Sequence, residues 1–312
     1  MIFKVSRHLK KIAKKSPAVK KQYYVSDIEG KDVSYLSDPL LEEEHTKVRG
    51  LIHKYKNRVL ILLTLNCAAY CRFCTRRRDV SQVMKGVITE NDLKRMKSYM
   101  EKHPQIKEII LSGGDPFTVP ALLEKALKMF SSMPQIKVIR IGTRIPVSDP
   151  KKIDKKLIKI LSVVKKQPLY VMIHFEHPDE ITKETEQAVL RLRKSGAILF
   201  SQSVFLKGVN DSFDTLYVLF SRLIEIGVKP YYLFRCDPVK GTEHFIVDIR
   251  KEIEIASKLR RNLSGLASPM YIIDVPEGNG KVPVPLNFWD FKLEEYRDFE
   301  GKAIKTGKFN TG

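Results

Sequence analysis

The run Val59-Leu60-Ile61-Leu62-Leu63-Thr64-Leu65 is followed, one residue on, by Cys67-Ala68-Ala69-Tyr70-Cys71-Arg72-Phe73-Cys74 and then by Thr75-Arg76-Arg77-Arg78. The apolar run predicts a buried strand over 59–65, which puts the cysteines in the loop beyond its C-terminal end. Three thiolates at a CxxxCxxC spacing on one short loop can converge on one metal centre. They do not close a tetrahedral zinc site without a fourth ligand. They can hold a 4Fe–4S cluster with one iron left open to a small ligand. Two plainer alternatives stand beside this: three unrelated cysteines, or zinc with a fourth ligand elsewhere. The only other cysteine is Cys236, so chance clustering is a poor account.

At 312 residues, 43% hydrophobic and 29% charged, the chain can bury one large core, and α/β barrels reach this size as a single unit. No apolar run is long enough to cross a bilayer, and the basic N-terminus lacks the apolar stretch and cleavage site of a secretory signal. Four cysteines with three in one loop make no disulfide framework, which points to a reducing, cytoplasmic setting. A net charge of +20 invites nucleic acids, anionic membranes or phosphorylated ligands. The excess is spread along the chain, for example at Lys97, Lys151, Lys155 and Lys165, as on an ordinary solvated exterior. Membrane and nucleic-acid partners are therefore disfavoured.

Outward from the cysteine loop, strand-like runs at 59–65, 108–112, 138–142, 170–174, 198–204 and 230–234 alternate with helical patterns at 89–101, 120–132, 151–164, 183–196 and 213–226. A helix at 248–263 and a strand at 271–273 follow. This alternation predicts a parallel α/β sheet, a partial (β/α)6 TIM-type barrel rather than a closed eightfold one. Residues 1–58 read as a basic leader and approach segment, 59–285 as the barrel, and 286–312 as a short tail. In the leader, Leu9, Ile12 and Ala13 alternate with lysines, the pattern of a short amphipathic helix that docks or makes oligomer contacts. Membrane-surface or RNA contact is its alternative.

Chemistry in such barrels collects at the C-terminal strand ends. There stand Gly113-Gly114-Asp115-Pro116, Gly142-Thr143-Arg144, His174 and His177, Gln202, Cys236-Asp237, Asp274 and Lys281. The Gly113-Gly114 pair permits close backbone approach to a ligand, such as the amino and carboxylate groups of S-adenosylmethionine, or makes a simple turn. Lys281 sits in a glycine-bearing stretch, Gly278-Asn279-Gly280-Lys281, where a lysine can form a Schiff base with pyridoxal phosphate or merely decorate a hairpin. Asp237 and Asp274 could bind the far ammonium of a diamino acid or act as an acid/base pair, and Arg76 suits a carboxylate held near the cluster. Each is also compatible with a surface charge.

CAAYCRFCTRRR resembles the cluster loop of the lysine 2,3-aminomutase family of radical S-adenosylmethionine enzymes. The resemblance extends through Asp38-Pro39-Leu40, His53-Lys54-Tyr55, LSGGDPF at 111–117, RIGTRIPV at 140–147, HFEHPDEIT at 174–182, FLKGVND at 205–211, PYYLFRCD at 230–237, IIDVPEGNGKVPVP at 272–285 and FEG at 299–301. It implies that Cys67, Cys71 and Cys74 hold a 4Fe–4S cluster whose fourth iron binds S-adenosylmethionine, and that Lys281 carries pyridoxal phosphate. Tyr55 and Arg58 would lie near the pyridoxal ring and phosphate, and Gln202 and the Gly113, Gly114, Asp115 loop in the cofactor pocket. Arg76 would pair with the substrate carboxylate, while Asp237 and Asp274 grip the side-chain ammonium of L-lysine. The implied reaction is isomerisation of L-lysine to β-lysine, fed by an external flavodoxin- or ferredoxin-like electron donor in a protein that forms homo-oligomers.

The pattern departs in places. The leader is shorter than in the long clostridial-type enzymes, and with only Cys236 beyond the loop no structural zinc is expected. Phe234 stands where a tyrosine is usual, predicting one hydrogen bond fewer at the cofactor. Other functions weighed are the branch that serves modification of elongation factor P, an arginine or glutamate 2,3-aminomutase, and, in another class, an RNA-binding or RNA-modifying radical protein. The glycine-rich frame around Lys281 argues against the first, and two aspartates would repel a glutamate side chain.

Overall fold

The computed structural model describes residues 2–29, 35–288, 295–297 and 302–305. Ten strands form one sheet in chain order: β1 (Thr46–Val48), β2 (Leu51–Tyr55), β3 (Arg58–Thr64), β4 (Glu108–Gly113), β5 (Val138–Thr143), β6 (Leu169–His174), β7 (Ile198–Val204), β8 (Lys229–Phe234), β9 (Met270–Val275) and β10 (Gly280–Pro283). β3 through β9 are parallel, whereas β1 and β2 at one edge and β10 at the other are antiparallel. The first and last strands do not pair, so the sheet stays open. Six strand–helix units precede β9, the partial (β/α)6 barrel that the alternating pattern predicts. A small antiparallel pair, β11 (Glu295–Arg297) and β12 (Ala303–Lys305), lies near the C-terminus, and the FEG stretch at 299–301 is outside the described residues.

The crossovers carry α3 (Glu90–Glu101), α4 (Pro120–Ser131), α5 (Ile145–Ser148) with α6 (Lys155–Leu161), α7 (Lys183–Lys194), α8 (Phe213–Glu225) and α9 (Ile249–Asn262). Thr89 opens α3 with a reciprocal capping box to Asp92, which is why that helix starts where the pattern predicts. The stretch read as one helix over 151–164 differs. Pro150–Lys152 makes a 3-10 turn, and Asp154 then accepts from the Leu157 N–H at 2.8 Å, so α6 begins only at Lys155. The approach segment also differs: residues 46–55 form β1 and β2. Three and five residues are too few to show a period.

The period-two alternation of the strands separates two faces. Val59, Ile61 and Leu63 of β3, Ile109 and Leu111 of β4, and Ile139 and Ile141 of β5 are buried under Leu93, Met96, Leu123, Leu127 and other helix residues. Each such side chain contributes about 1.5–3 kcal/mol. The other face, including Leu60, Ile110, Arg140, Met172, Gln202 and Tyr232, lines a central cavity. Before the sheet, two leader helices, α1 (Arg7–Ala13) and α2 (Pro17–Tyr23), bury Leu9, Ala13, Val19 and Tyr23 and leave Lys10, Lys11, Lys14 and Lys15 exposed. Among the described residues no helix is long and apolar enough to cross a membrane.

Candidate active site

The cavity has a volume of about 470 Å3, and the candidates assigned to cluster, cofactor and substrate all line it, whereas Pro116, His177 and Cys236 of the strand-end set do not. One wall is the cysteine loop. The leader crosses its outer side: the Tyr70 N–H donates to the Lys4 carbonyl (3.0 Å) and the Arg72 N–H to the Gln22 carbonyl (2.8 Å). Glu29 accepts from both Arg72 and Arg77. Cys67, Cys71 and Cys74 carry free thiols on this wall. Burial pushes all three up, Cys74 to about 12, and the neighbouring thiols and carboxylates add to it, against Arg144 at Cys71. A bound metal cation reverses that balance by coordinating the thiolates. Among the described residues no three His, Cys, Asp or Glu side chains close on a point that holds a metal ion as they stand. The donor chemistry, three soft thiols in one cavity wall, suits a cluster with one open iron.

β4 ends against this loop. A Cβ on Gly113, at φ 111°, would sit 2.2 Å from the Thr64 carbonyl oxygen, and one on Gly114 2.3 Å from that of Asn66. The glycines are therefore required by backbone packing between β4 and the cysteine loop, beyond any ligand approach. Asp115 ties the same loop to β5. It accepts from the Phe117 N–H (3.1 Å), the Thr143 hydroxyl (2.9 Å) and the Arg144 N–H (2.7 Å). Burial raises it to about 6 despite those bonds.

The opposite wall is the β9–β10 hairpin. Lys281 stands directly across from Asp274, and the two side chains form an ion pair. The turn between them holds Glu277, Gly278 and Gly280 at positive φ, which explains its glycines. Burial lowers the Lys281 pKa, but Asp274 and Tyr55 outweigh it and the net shift is upward. The second Asp274 oxygen, Oδ1, is buried without a hydrogen-bond partner among the described residues. Asp237, beyond β8, accepts from the Thr75 hydroxyl at 2.5 Å. Burial and the nearby Asp274 charge raise it to about 7. Phe234 lies beneath Lys281, its ring centre 5.4 Å from Nζ.

Two further candidates flank the cavity. Arg58 stacks on the Tyr55 ring at 3.9 Å across the tight β2–β3 connection. Gln202 of β7 lies between His174 of β6 and Tyr232 of β8. Arg76 is not free: its Nε and Nη2 donate to the two Glu42 oxygens at 2.8 and 2.6 Å.

Residues 61–219 match the Radical SAM superfamily model. The L-lysine 2,3-aminomutase of Clostridium subterminale is 38% identical over 288 residues, 91% of this chain and 68% of its own length. The chain belongs to the lysine 2,3-aminomutase family of the radical SAM superfamily. The glutamate 2,3-aminomutase of Clostridioides difficile is also similar, 36% identical over 86% of this chain and 64% of its own length. The chain spans 66% and 60% of the length of two more lysine 2,3-aminomutases, from Methanococcus maripaludis and Acetoanaerobium sticklandii. A solved radical SAM methyltransferase from Sphaerobacter thermophilus shares the fold, with a TM-score of 0.53 and 13% identity over 72% of this chain and 68% of that one.

For this member of the aminomutase family, the sequence offers Glu42 and Thr75 no place among the candidates, and it puts Arg144 at a strand end without a role. Arg144 is buried behind the cysteines and donates to Cys71 Sγ (2.8 Å), to Glu180 (2.8 Å) and to Gln22 of α2. Its position at a strand end is the signal that put it among the candidates; the contact with Cys71 comes from the fold alone. Glu42 opens the run Glu42-Glu43-Glu44, which reads as solvated charge and gives no signal.

Proposed function

We propose that the chain is an L-lysine 2,3-aminomutase that converts L-lysine to β-lysine. Cys67, Cys71 and Cys74 hold a 4Fe–4S cluster that binds S-adenosylmethionine, and Lys281 carries pyridoxal phosphate. The observation that carries this reading is the cross-strand pair of Lys281 and Asp274. An amine and a carboxylate with one buried oxygen unpartnered among the described residues share a cavity with three free thiols. When bound, the cluster and S-adenosylmethionine supply a hydrogen-abstracting radical, and pyridoxal phosphate supplies the carbonyl that lets nitrogen migrate between adjacent carbons.

The chain's own residues position the substrate. Arg76 takes the carboxylate, with its second guanidinium edge. Asp237 and Asp274 take the distal ammonium, and drawing the Lys281 nitrogen out of its ion pair opens both Asp274 oxygens to it. An ammonium beside Asp237 favours its charged form and pulls its pKa down from about 7. Fixing both ends of the amino acid leaves the β-carbon little freedom, which is the main contribution that positioning makes to rate. Arg58 supplies positive charge for a phosphate and Tyr55 a flat surface for a ring. Two aspartates at the far end disfavour glutamate as substrate. A flavodoxin- or ferredoxin-like donor in a reducing cytoplasm completes the proposal.

The test is anaerobic incubation of cluster-reconstituted protein with S-adenosylmethionine, pyridoxal phosphate, dithionite and, separately, L-lysine, L-arginine and L-glutamate. β-Lysine from the first is expected. No β-lysine with an intact cluster contradicts the proposal, and faster turnover of arginine would move the substrate.

A further inference from the structure

Residues 38–46 cross from the leader to β1 as a tight strap. The Glu43 N–H donates to Asp38 (3.1 Å), and the Thr46 hydroxyl donates to the Glu42 carbonyl (2.8 Å). Between them Leu41 is held at φ 51°, a left-handed conformation that is costly for a side chain with a Cβ. The strap is tied on two sides. Arg78, from the tail of the cysteine loop, pairs with Asp38 (3.0 Å) and Glu43 (3.3 Å). The Glu277 N–H, from the turn that precedes Lys281, donates to the Pro39 carbonyl (2.7 Å). It therefore bridges the two walls of the cavity. A strained residue kept in place by surrounding ties is the form in which proteins hold functional geometry.

The side chain presented by this strap is Glu42, 8% exposed in the cavity wall. Its carboxylate takes the Nε and Nη2 edge of Arg76 in a bidentate pair. A guanidinium has five N–H groups in a rigid fork. The pairing leaves the Nη1 and Nη2 edge, which fits a second carboxylate side by side. Glu42 thus fixes the plane and direction of a long, otherwise rotatable side chain without using the edge that a substrate needs. We propose that Glu42 is a positioning residue that aims Arg76 at the substrate carboxylate, so that the strap joining the two walls sets where an α-amino acid lies between them. This rests on the reading of Arg76 as the carboxylate anchor.

The test compares wild-type and Glu42→Gln protein, both loaded with cofactor, by calorimetric titration. The probes are L-lysine and 1,5-diaminopentane, which keeps both amines and lacks the carboxylate. The Kd for L-lysine is expected to rise roughly tenfold, the worth of one charge-assisted hydrogen bond. That for 1,5-diaminopentane stays unchanged, and Glu42→Asp, which keeps the charge, recovers part of the L-lysine affinity. Equal weakening of both probes would mean that the strap has collapsed, and would overturn a positioning role. L-Lysine binding to Glu42→Gln as tightly as to wild type, or more tightly, would make Glu42 a placeholder on Arg76 and also overturn it. Wild-type protein that binds 1,5-diaminopentane but not L-lysine would remove the role of Arg76 itself, and this inference with it.

Discussion

Asp115 and Asp274 are both buried carboxylates facing one cavity, and they are used in opposite ways. Asp115 accepts from Phe117, Thr143 and the Arg144 N–H on its two oxygens, and its bonds tie the β4 loop to β5. Asp274 has one oxygen on Lys281 and the other without a partner among the described residues. The first has spent its acceptor capacity on the fold, and the second keeps part of it, which the proposed function gives to a ligand. The same contrast marks the two walls. The cysteine wall is backed by the leader helices and by the close approach of Gly113 and Gly114. The hairpin wall presents an amine and a carboxylate on two strands that flank a turn with three residues at positive φ. Both are buried, so the capacity left over, rather than burial, separates the carboxylate proposed to meet a substrate.

If the walls are separable, Cys74→Ala should have the largest effect and confine it to one of them. Iron content and turnover should fall to background, while pyridoxal phosphate still loads on Lys281, followed by its visible absorbance. Loss of both together would break the comparison. Asp274→Asn comes next. Truncating one partner of a buried charge pair costs about 2–5 kcal/mol, so the Kd for L-lysine should rise on the order of a hundredfold with iron content unchanged. Asp115→Asn should do the reverse: about 1–3 kcal/mol of stability lost in urea titration, with L-lysine affinity unchanged in the folded fraction. If Asp115→Asn weakens L-lysine as much as Asp274→Asn does, the two carboxylates are not distinct.

The smallest effect is pH dependence. Burial and the Asp274 charge raise Asp237 from 3.8 to about 7 in the ligand-free protein. A raised carboxylate binds more protons folded than unfolded, so its contribution to stability is fully present below pH 4 and is lost as pH rises toward about 7. Ligand binding runs the other way. It needs the charged form, so L-lysine affinity should rise with pH up to about 7 and level off above, by at most about tenfold per unit. A flat profile between pH 6 and 8 would show that Asp237 stays ionised without ligand.

The barrel was legible because its parallel strands read as short apolar runs, one face buried under helices and the other turned to the cavity, bounded by helices with caps such as Thr89 and Asp154. The antiparallel edges were not. β1, β2 and β10 are three to five residues long, and β10 ends in Pro283, so no period could show. The cysteine loop announces itself because its donors lie within eight residues. Asp274 and Lys281 are seven apart, and without the hairpin register nothing in their spacing puts them face to face. Glu42 and Arg76 are 34 residues apart, and it is the fold that brings them into a bidentate pair. Local chemistry was visible, and chemistry made by pairing across the fold was visible only through resemblance to a family.

In the proposed reaction the cysteine wall and the hairpin wall act on one molecule of L-lysine. This is tested most directly by turnover of L-lysine carrying deuterium at its β-carbon, with cluster, S-adenosylmethionine and pyridoxal phosphate all present. β-Lysine together with deuterium at the 5′-carbon of the adenosyl group is expected. β-Lysine formed with no deuterium in that group would contradict the proposal.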